Sequence, residues 1–74
     1  MEARYTAVFE KIGNLWMGFA EELPGANTQG ETLEEARENL KEAVQLILEA
    51  NRELANRRTE GREVVREELL VSTG

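Results

Sequence analysis

Hydrophobic and polar residues alternate near the start of the chain, as they do in strands that bury one face. Residues 4–11 and 15–22 are the two alternating stretches, and the turn residues Ile12, Gly13 and Asn14 lie between them. This pattern predicts a β-hairpin. Pro24-Gly25 ends the second strand because proline lacks the N–H that a sheet ladder needs. Residues 26–30 leave room for a brief third strand.

The apolar spacing then changes to the period of an α-helix. Thr32 followed by Glu35 forms a capping-box sequence, which predicts that the helix begins at Leu33. At about 100° per residue, one face of this helix is apolar, and its members are Leu33, Ala36, Leu40, Ala43, Val44, Ile47 and Leu48, with Leu54 and Ala55 extending it. We expect the helix to end at about Asn56, before Arg57 and Arg58, which suit its negative end.

This predicted helix is long for the strands around it. At ~1.5 Å per residue it measures about 36 Å, whereas a seven-residue strand spans about 23 Å. Its last turns therefore extend past a small sheet or meet a second subunit. Residues 63–72 are rich in β-branched residues and predict a closing strand, with a helix over residues 62–70 as the alternative.

The predicted order is β-β-β-α-β. This order indicates an α+β fold, with a three-stranded antiparallel sheet, one long helix on one face and a C-terminal strand. The length of 74 residues predicts one domain over residues 1–74 with one small core. A core of this size is marginal, so we expect at least a dimer. Leu46 lies beside the apolar face rather than on it, and we predict that it takes part in self-association.

Fifteen acidic residues, all Glu, face nine basic ones, and the net charge is −6. Such a surface repels phosphates, so direct binding of nucleic acid is not expected, whereas a basic protein partner is. The chain has no His, Cys or Asp, which excludes disulfides and disfavours a metal site. Neither a membrane span nor a signal pattern is found, and we expect a cytoplasmic protein without cofactors.

Several motifs together resemble the HicB family of antitoxins. They are Tyr5-Thr6-Ala7-Val8, Trp16 in the second strand, and the run from Glu22-Leu23-Pro24-Gly25 through Gln29-Gly30, Thr32-Leu33-Glu34-Glu35-Ala36 and Asn39-Leu40-Lys41-Glu42-Ala43. The resemblance implies a partial ribonuclease H-like domain that neutralises a HicA-like toxin, a small RNA-cleaving protein. Many family members carry an additional DNA-binding domain, and we expect none here.

The residues indicate a binding protein rather than an enzyme. Two-metal RNA hydrolysis needs converging carboxylates and a nucleophilic triad needs a base, and the pattern places neither, so no catalytic, cofactor or metal residue is predicted. The predicted partner-binding residues are Trp16, Glu21, Glu22, Glu34, Glu38 and Glu42, with Trp16 expected on the sheet face away from the helix. The alternative is a stand-alone oligomeric scaffold or small-ligand-binding domain that has no toxin partner.

Overall fold

The computed structural model describes residues 4–72, in which three strands precede one helix. Strand β1 is Ala7–Ile12, β2 is Leu15–Ala20, β3 is Asn27–Gly30 and helix α1 is Leu33–Thr59. The strands form an antiparallel sheet in the order β1-β2-β3. The helix packs on one face of this sheet, mainly over β3 and β2. The α+β class, the hairpin and the third strand predicted from the sequence are confirmed.

The register of the sheet separates an inner face, beneath the helix, from an outer face. Phe9 lies opposite Gly18, and Trp16 lies opposite Gly30. Directly paired residues in an antiparallel sheet point to the same side. A Cβ built on Gly30 would lie 2.7 Å from the backbone nitrogen of Ala36 in α1. These four residues therefore belong to the inner face.

Small residues allow the helix to approach the sheet closely. The buried apolar residues of the core are Ala20, Ala26, Ala36 and Leu40. Gly18 and Gly30, both on the inner face, are buried as well. Because most of these side chains are short, the backbones of α1 and β3 lie nearly in contact. The core is consequently thin, and its largest member is a single leucine.

Helix α1 is capped at its start and tied to β3. The hydroxyl of Thr32 accepts a hydrogen bond from the Glu35 N–H at 3.0 Å, which confirms the predicted cap. The side-chain amide of Asn39 donates to the carbonyl of Gln29 at 2.9 Å. Arg57 and Arg58 lie in the last turn, as expected from the helix dipole. The helix ends at Thr59, three residues beyond the predicted Asn56.

The second half of α1 extends past the sheet. The Cδ1 atom of Ile47 lies 3.4 Å from where a Cβ on Gly25 would be, so the helix has reached the β2–β3 loop by that residue. Residues 48–59 continue for about another 18 Å at ~1.5 Å per residue. Leu54 in this part is 56% exposed. The extension beyond the sheet that the sequence predicts is confirmed.

The predicted closing strand is wrong. Residues 63–72 form neither a strand nor the alternative helix, and they are exposed throughout. A strand persists only when a neighbouring strand satisfies its backbone groups. Because α1 carries the chain well past the sheet, this segment starts far from either sheet edge. Its β-branched composition is therefore not matched by a partner within the described chain.

Among residues 4–72, no helix is both long enough and apolar enough to cross a membrane.

Candidate partner-binding surface

Three of the predicted partner-binding residues form a row on the helix. Glu34, Glu38 and Glu42 are spaced four residues apart, which places each about 6 Å further along α1 on one side. All three are exposed, and they lie on the side turned away from the sheet. We call these three residues the acidic row. The structure thus brings together half of the residues that the sequence predicts for binding.

The negative charge of the acidic row is little compensated. Lys41 Nζ lies 3.2 Å from Glu38 Oε1, and both side chains are about 70% exposed. An exposed pair of this kind is worth only about 0.5 kcal/mol. Within the described residues, the one other ion pair joins Arg57 to Glu53, further along the helix. The field around Glu34 and Glu42 is therefore free to act on a cationic partner.

Glu21 and Glu22 do not belong to the acidic row, because both lie directly after β2 and bind Thr6. The Glu22 carboxylate accepts a hydrogen bond from the Thr6 hydroxyl at 2.6 Å and another from the Thr6 N–H at 2.7 Å. The hydroxyl bond first, and then the backbone bond, lower the pKa of Glu22 below its usual value. The Glu21 N–H donates to the Thr6 carbonyl at 2.9 Å. Glu22 therefore holds the segment before β1 against the end of β2.

The predicted orientation of Trp16 is wrong. It is half-buried and lies opposite Gly30, so it belongs to the inner face and not to the face away from the helix. The reason is that the helix packs over the smallest residues of β2, Gly18 and Ala20, and Trp16 alternates with them. Bulky residues alone do not identify the buried side of a strand when a helix needs to approach it closely.

The outer face carries apolar residues that the prediction of the site missed. Val8 lies opposite Phe19, and Ile12 lies opposite Leu15, with Met17 between them on β2. Except for the half-buried Val8, these side chains are exposed, and Phe19 is 43% exposed. Their regular alternation in the sequence was the available signal. Since helix and outer face lie on opposite sides of the sheet, no flat partner surface contacts both this face and the acidic row.

An open groove runs between β1 and α1. Its volume is about 450 Å³. Its floor is apolar and consists of Tyr5, Ala7, Phe9, Leu40 and Val44. Two cations, Arg37 and Lys41, and one carboxylate, Glu38, lie beside this floor. The groove exists because α1 lies over β2 and β3 and leaves the inner side of β1 uncovered.

Two further sequence predictions bear on the surface. Leu46 is 65% exposed, as its position beside the apolar face predicts, and its role in self-association stays a prediction. In the part of the chain from residue 4 to residue 72, no three His, Cys, Asp or Glu side chains form a group able to hold a metal ion.

Comparison with known proteins finds one clear similarity. The chain is 47% identical over 51 residues to the UPF0150 protein ssl0738 of Synechocystis, and the match covers 66% of this chain and 69% of that protein. No family model matches the chain, and no solved structure matches it.

Proposed function

We propose that this chain, which belongs to the UPF0150 family, is a non-catalytic binding protein that acts as the antitoxin of a type II toxin–antitoxin system. Its partner in this proposal is a basic, HicA-like, RNA-cleaving toxin. The chain neutralises the toxin by occupying the surface that would otherwise bind RNA. The observation that carries the proposal is the acidic row, Glu34, Glu38 and Glu42, exposed together on one side of α1.

The chemistry of an RNA-cleaving protein explains why an acidic row suits it. Such a protein presents Lys and Arg to the phosphates of its substrate. An acidic surface competes for the same cations without any chemistry of its own. The acidic row lies on the solvent side of a helix whose start is fixed by the Thr32 cap and by the Asn39 bond to β3. The carboxylates are therefore presented on a stable support.

The resemblance to HicB antitoxins supports the same reading. The motifs that carry it include the Leu23-Pro24-Gly25 turn, the cap at Thr32 and the first turns of α1, which is also where the acidic row begins. The observed order β-β-β-α agrees with the partial ribonuclease H-like domain that the resemblance implies, as far as the helix. We propose that fold assignment together with the function.

The structure changes which residues we assign to recognition. The sequence placed Trp16 as an aromatic anchor, but its side chain is half-buried beneath the helix. Glu22 is engaged by Thr6 and positions the N-terminal segment. We therefore assign electrostatic recognition to the acidic row alone, and we keep Glu21, at the end of β2, outside it.

The test is a kinetic one, with a purified HicA-like protein as the probe. The triple variant Glu34→Gln, Glu38→Gln, Glu42→Gln should slow association roughly tenfold at low salt, because it removes the field that steers a cationic partner. The salt dependence of the association rate should flatten accordingly. Stopped-flow or surface-based kinetics across a salt series measure both quantities.

A matched control separates the position of the charges from their number. The variant Glu53→Gln, Glu60→Gln, Glu63→Gln removes the same net charge at the far end of the helix, where all three side chains are exposed. It should change association much less than the acidic-row variant. Equal effects of the two variants, or association that does not respond to salt, would remove the acidic row from the proposal.

The alternative function has its own distinguishing outcome. A stand-alone oligomeric scaffold or ligand-binding domain needs no neighbouring toxin gene and has no reason to inhibit RNA cleavage. If a HicA-like protein neither binds the chain nor loses RNA cleavage in its presence, the antitoxin proposal fails and the alternative is favoured.

A further inference from the structure

More than a third of the described chain lies outside the compact part of the molecule. The radius of gyration is 15.8 Å and the longest dimension is 51 Å. A compact domain of this length has a radius of gyration of about 11 Å. The difference comes from residues 48–72, which comprise the second half of α1 and the segment after it. We call residues 63–72 the C-terminal segment.

The two alternating sides of the C-terminal segment differ in composition, although both are exposed and Leu70, on the side of Val64, is 84% exposed. Val64 lies against the end of α1, and Arg66 Nη2 donates to the Thr59 hydroxyl at 2.8 Å. The alternate residues Val65, Leu69 and Val71 are among the most exposed apolar side chains, and Val65 is 86% exposed. With Glu67 between them, these residues would form one apolar side of an extended strand.

The groove between β1 and α1 is the complementary surface. β1 is an edge strand, and among the described residues no strand pairs with the edge of β1 that faces away from β2. An additional strand there would satisfy the free backbone groups of β1 and place every second side chain in the groove. The groove has an apolar floor for valine and leucine. Arg37, Lys41 and Glu38 stand beside it. Glu38 already pairs with Lys41 at 3.2 Å, so Arg37 is the cation that Glu67 would meet.

None of the described residues of the C-terminal segment lies in this groove. Arg66 is still bonded at Thr59, about 18 Å beyond the sheet. The six residues that follow reach at most about 20 Å when fully extended. A second copy, approaching from the projecting end, has no such limit.

We propose that two copies of this chain exchange their C-terminal segments. The segment of each copy pairs with β1 of the other copy and fills the groove with Val65, Leu69 and Val71. The exchange is reciprocal, so it closes a two-fold dimer without leaving an unpaired apolar strand. This inference specifies the self-association that the sequence predicts, and it does not depend on the toxin partner.

The outer sheet face is a weaker candidate for the dimer contact. Three strands spaced ~4.8 Å apart and about six residues long make a patch of roughly 300 Å². A stable interface buries about 800 Å² on each partner. The exchanged segments and the projecting helices supply additional area that the sheet face lacks. They also account for why α1 is longer than its sheet.

Cross-linking tests the exchange directly, and it needs no partner protein. Because the chain has no cysteine, single variants are specific probes. Ala7→Cys lies in the groove, and Leu69→Cys lies on the exposed side of the C-terminal segment. The two variants are co-expressed with different tags and treated with a short bismaleimide. We expect a covalent heterodimer.

Glu42→Cys faces away from the sheet, so its co-expression with Ala7→Cys should give little heterodimer. A chain that carries both Ala7→Cys and Leu69→Cys reports the alternative geometry. Cross-linking within one chain, or no heterodimer from the first pair, would overturn the exchange.

Sedimentation of the 74-residue chain provides a second test. Val65→Asp with Leu69→Asp should weaken the dimer roughly 100-fold, about tenfold for each apolar side chain lost from the interface. These positions are exposed in a single copy, so circular dichroism should show an unchanged helix. The exchange places the dimer contact away from Leu46, unlike the self-association role predicted for that residue from the sequence, and away from the outer face. Leu46→Asp and Phe19→Asp should therefore leave the dimer intact. Loss of the dimer in either of these two, but not in the double variant, would contradict the proposal.

Discussion

The two halves of helix α1 share one apolar stripe but lie in different surroundings. In residues 33–47, the apolar stripe packs on β2 and β3, and Leu40 is only 4% exposed. In residues 48–59 the stripe continues, but there is no sheet beneath it and Leu54 is exposed. The comparison shows that helical periodicity predicts a face that requires a cover. It does not say whether the cover comes from the same chain.

The largest difference between the halves should appear in matched leucine truncations. Leu40→Ala should lower the free energy of unfolding by about 2–4 kcal/mol, because it leaves a cavity in a thin core. Leu54→Ala should change it by less than about 0.5 kcal/mol in the monomer, since the side chain is already in water. Urea denaturation followed by circular dichroism, at a concentration where the chain is monomeric, measures both. Equal losses would show that the second half of α1 is also packed.

The contact between Gly30 and Ala36, at the start of the packed half, should be nearly as sensitive to substitution. Gly30→Ala places a methyl group 2.7 Å from the Ala36 nitrogen and 3.1 Å from its Cα. These are backbone atoms, so the helix itself must move, and we expect a loss of about 1–3 kcal/mol. Thermal or urea unfolding gives the value.

Gly13→Ala serves as the control for this substitution. Gly13 has a φ of +61°, and a Cβ there would meet nothing within 4 Å. Its cost should therefore be limited to about 1 kcal/mol of backbone strain. If Gly30→Ala does not lower stability, α1 and β3 are less tightly packed than the 2.7 Å distance to the Ala36 nitrogen implies.

The sequence predicted those features that depend on local chemistry. The Thr32 cap, the Pro24-Gly25 turn and the periodicity of α1 each follow from a few neighbouring residues. The orientation of Trp16 was wrong because it depends on how closely α1 approaches Gly30 and Ala36, a contact between distant parts of the chain. The strand over residues 63–72 was wrong because its β-branched residues indicate a preference, whereas a strand also needs an edge within reach.

Only part of the candidate site was predicted from the sequence, because only part of it depends on residues that are close together in the chain. The acidic row follows from helical spacing alone, so the sequence was sufficient to group its three residues. The engagement of Glu22 by Thr6 joins residues sixteen positions apart and was not visible from either motif. The outer sheet face required knowledge of which side the helix covers.

The smallest expected effect concerns the segment before β1. Because its pKa is lowered in the folded state, the Glu22 carboxylate contributes stability that is complete above its ordinary pKa of 4.5. That contribution is lost as the pH falls through the lowered value. Thr6→Val removes the hydroxyl bond and should raise the pKa of Glu22 toward 4.5. A carboxyl NMR titration measures the shift, with Thr59→Val as the control that leaves the pKa unchanged.

Hydrogen exchange at several protein concentrations tests the contrast between the halves of α1 most directly. At low concentration, amides in residues 33–47 should be protected, while those in residues 48–59 should exchange faster and those in residues 63–72 fastest. As concentration rises, protection should appear together in residues 63–72 and along β1, Ala7–Ile12, because each copy covers the other. Protection that is uniform along α1 and independent of concentration would contradict the account.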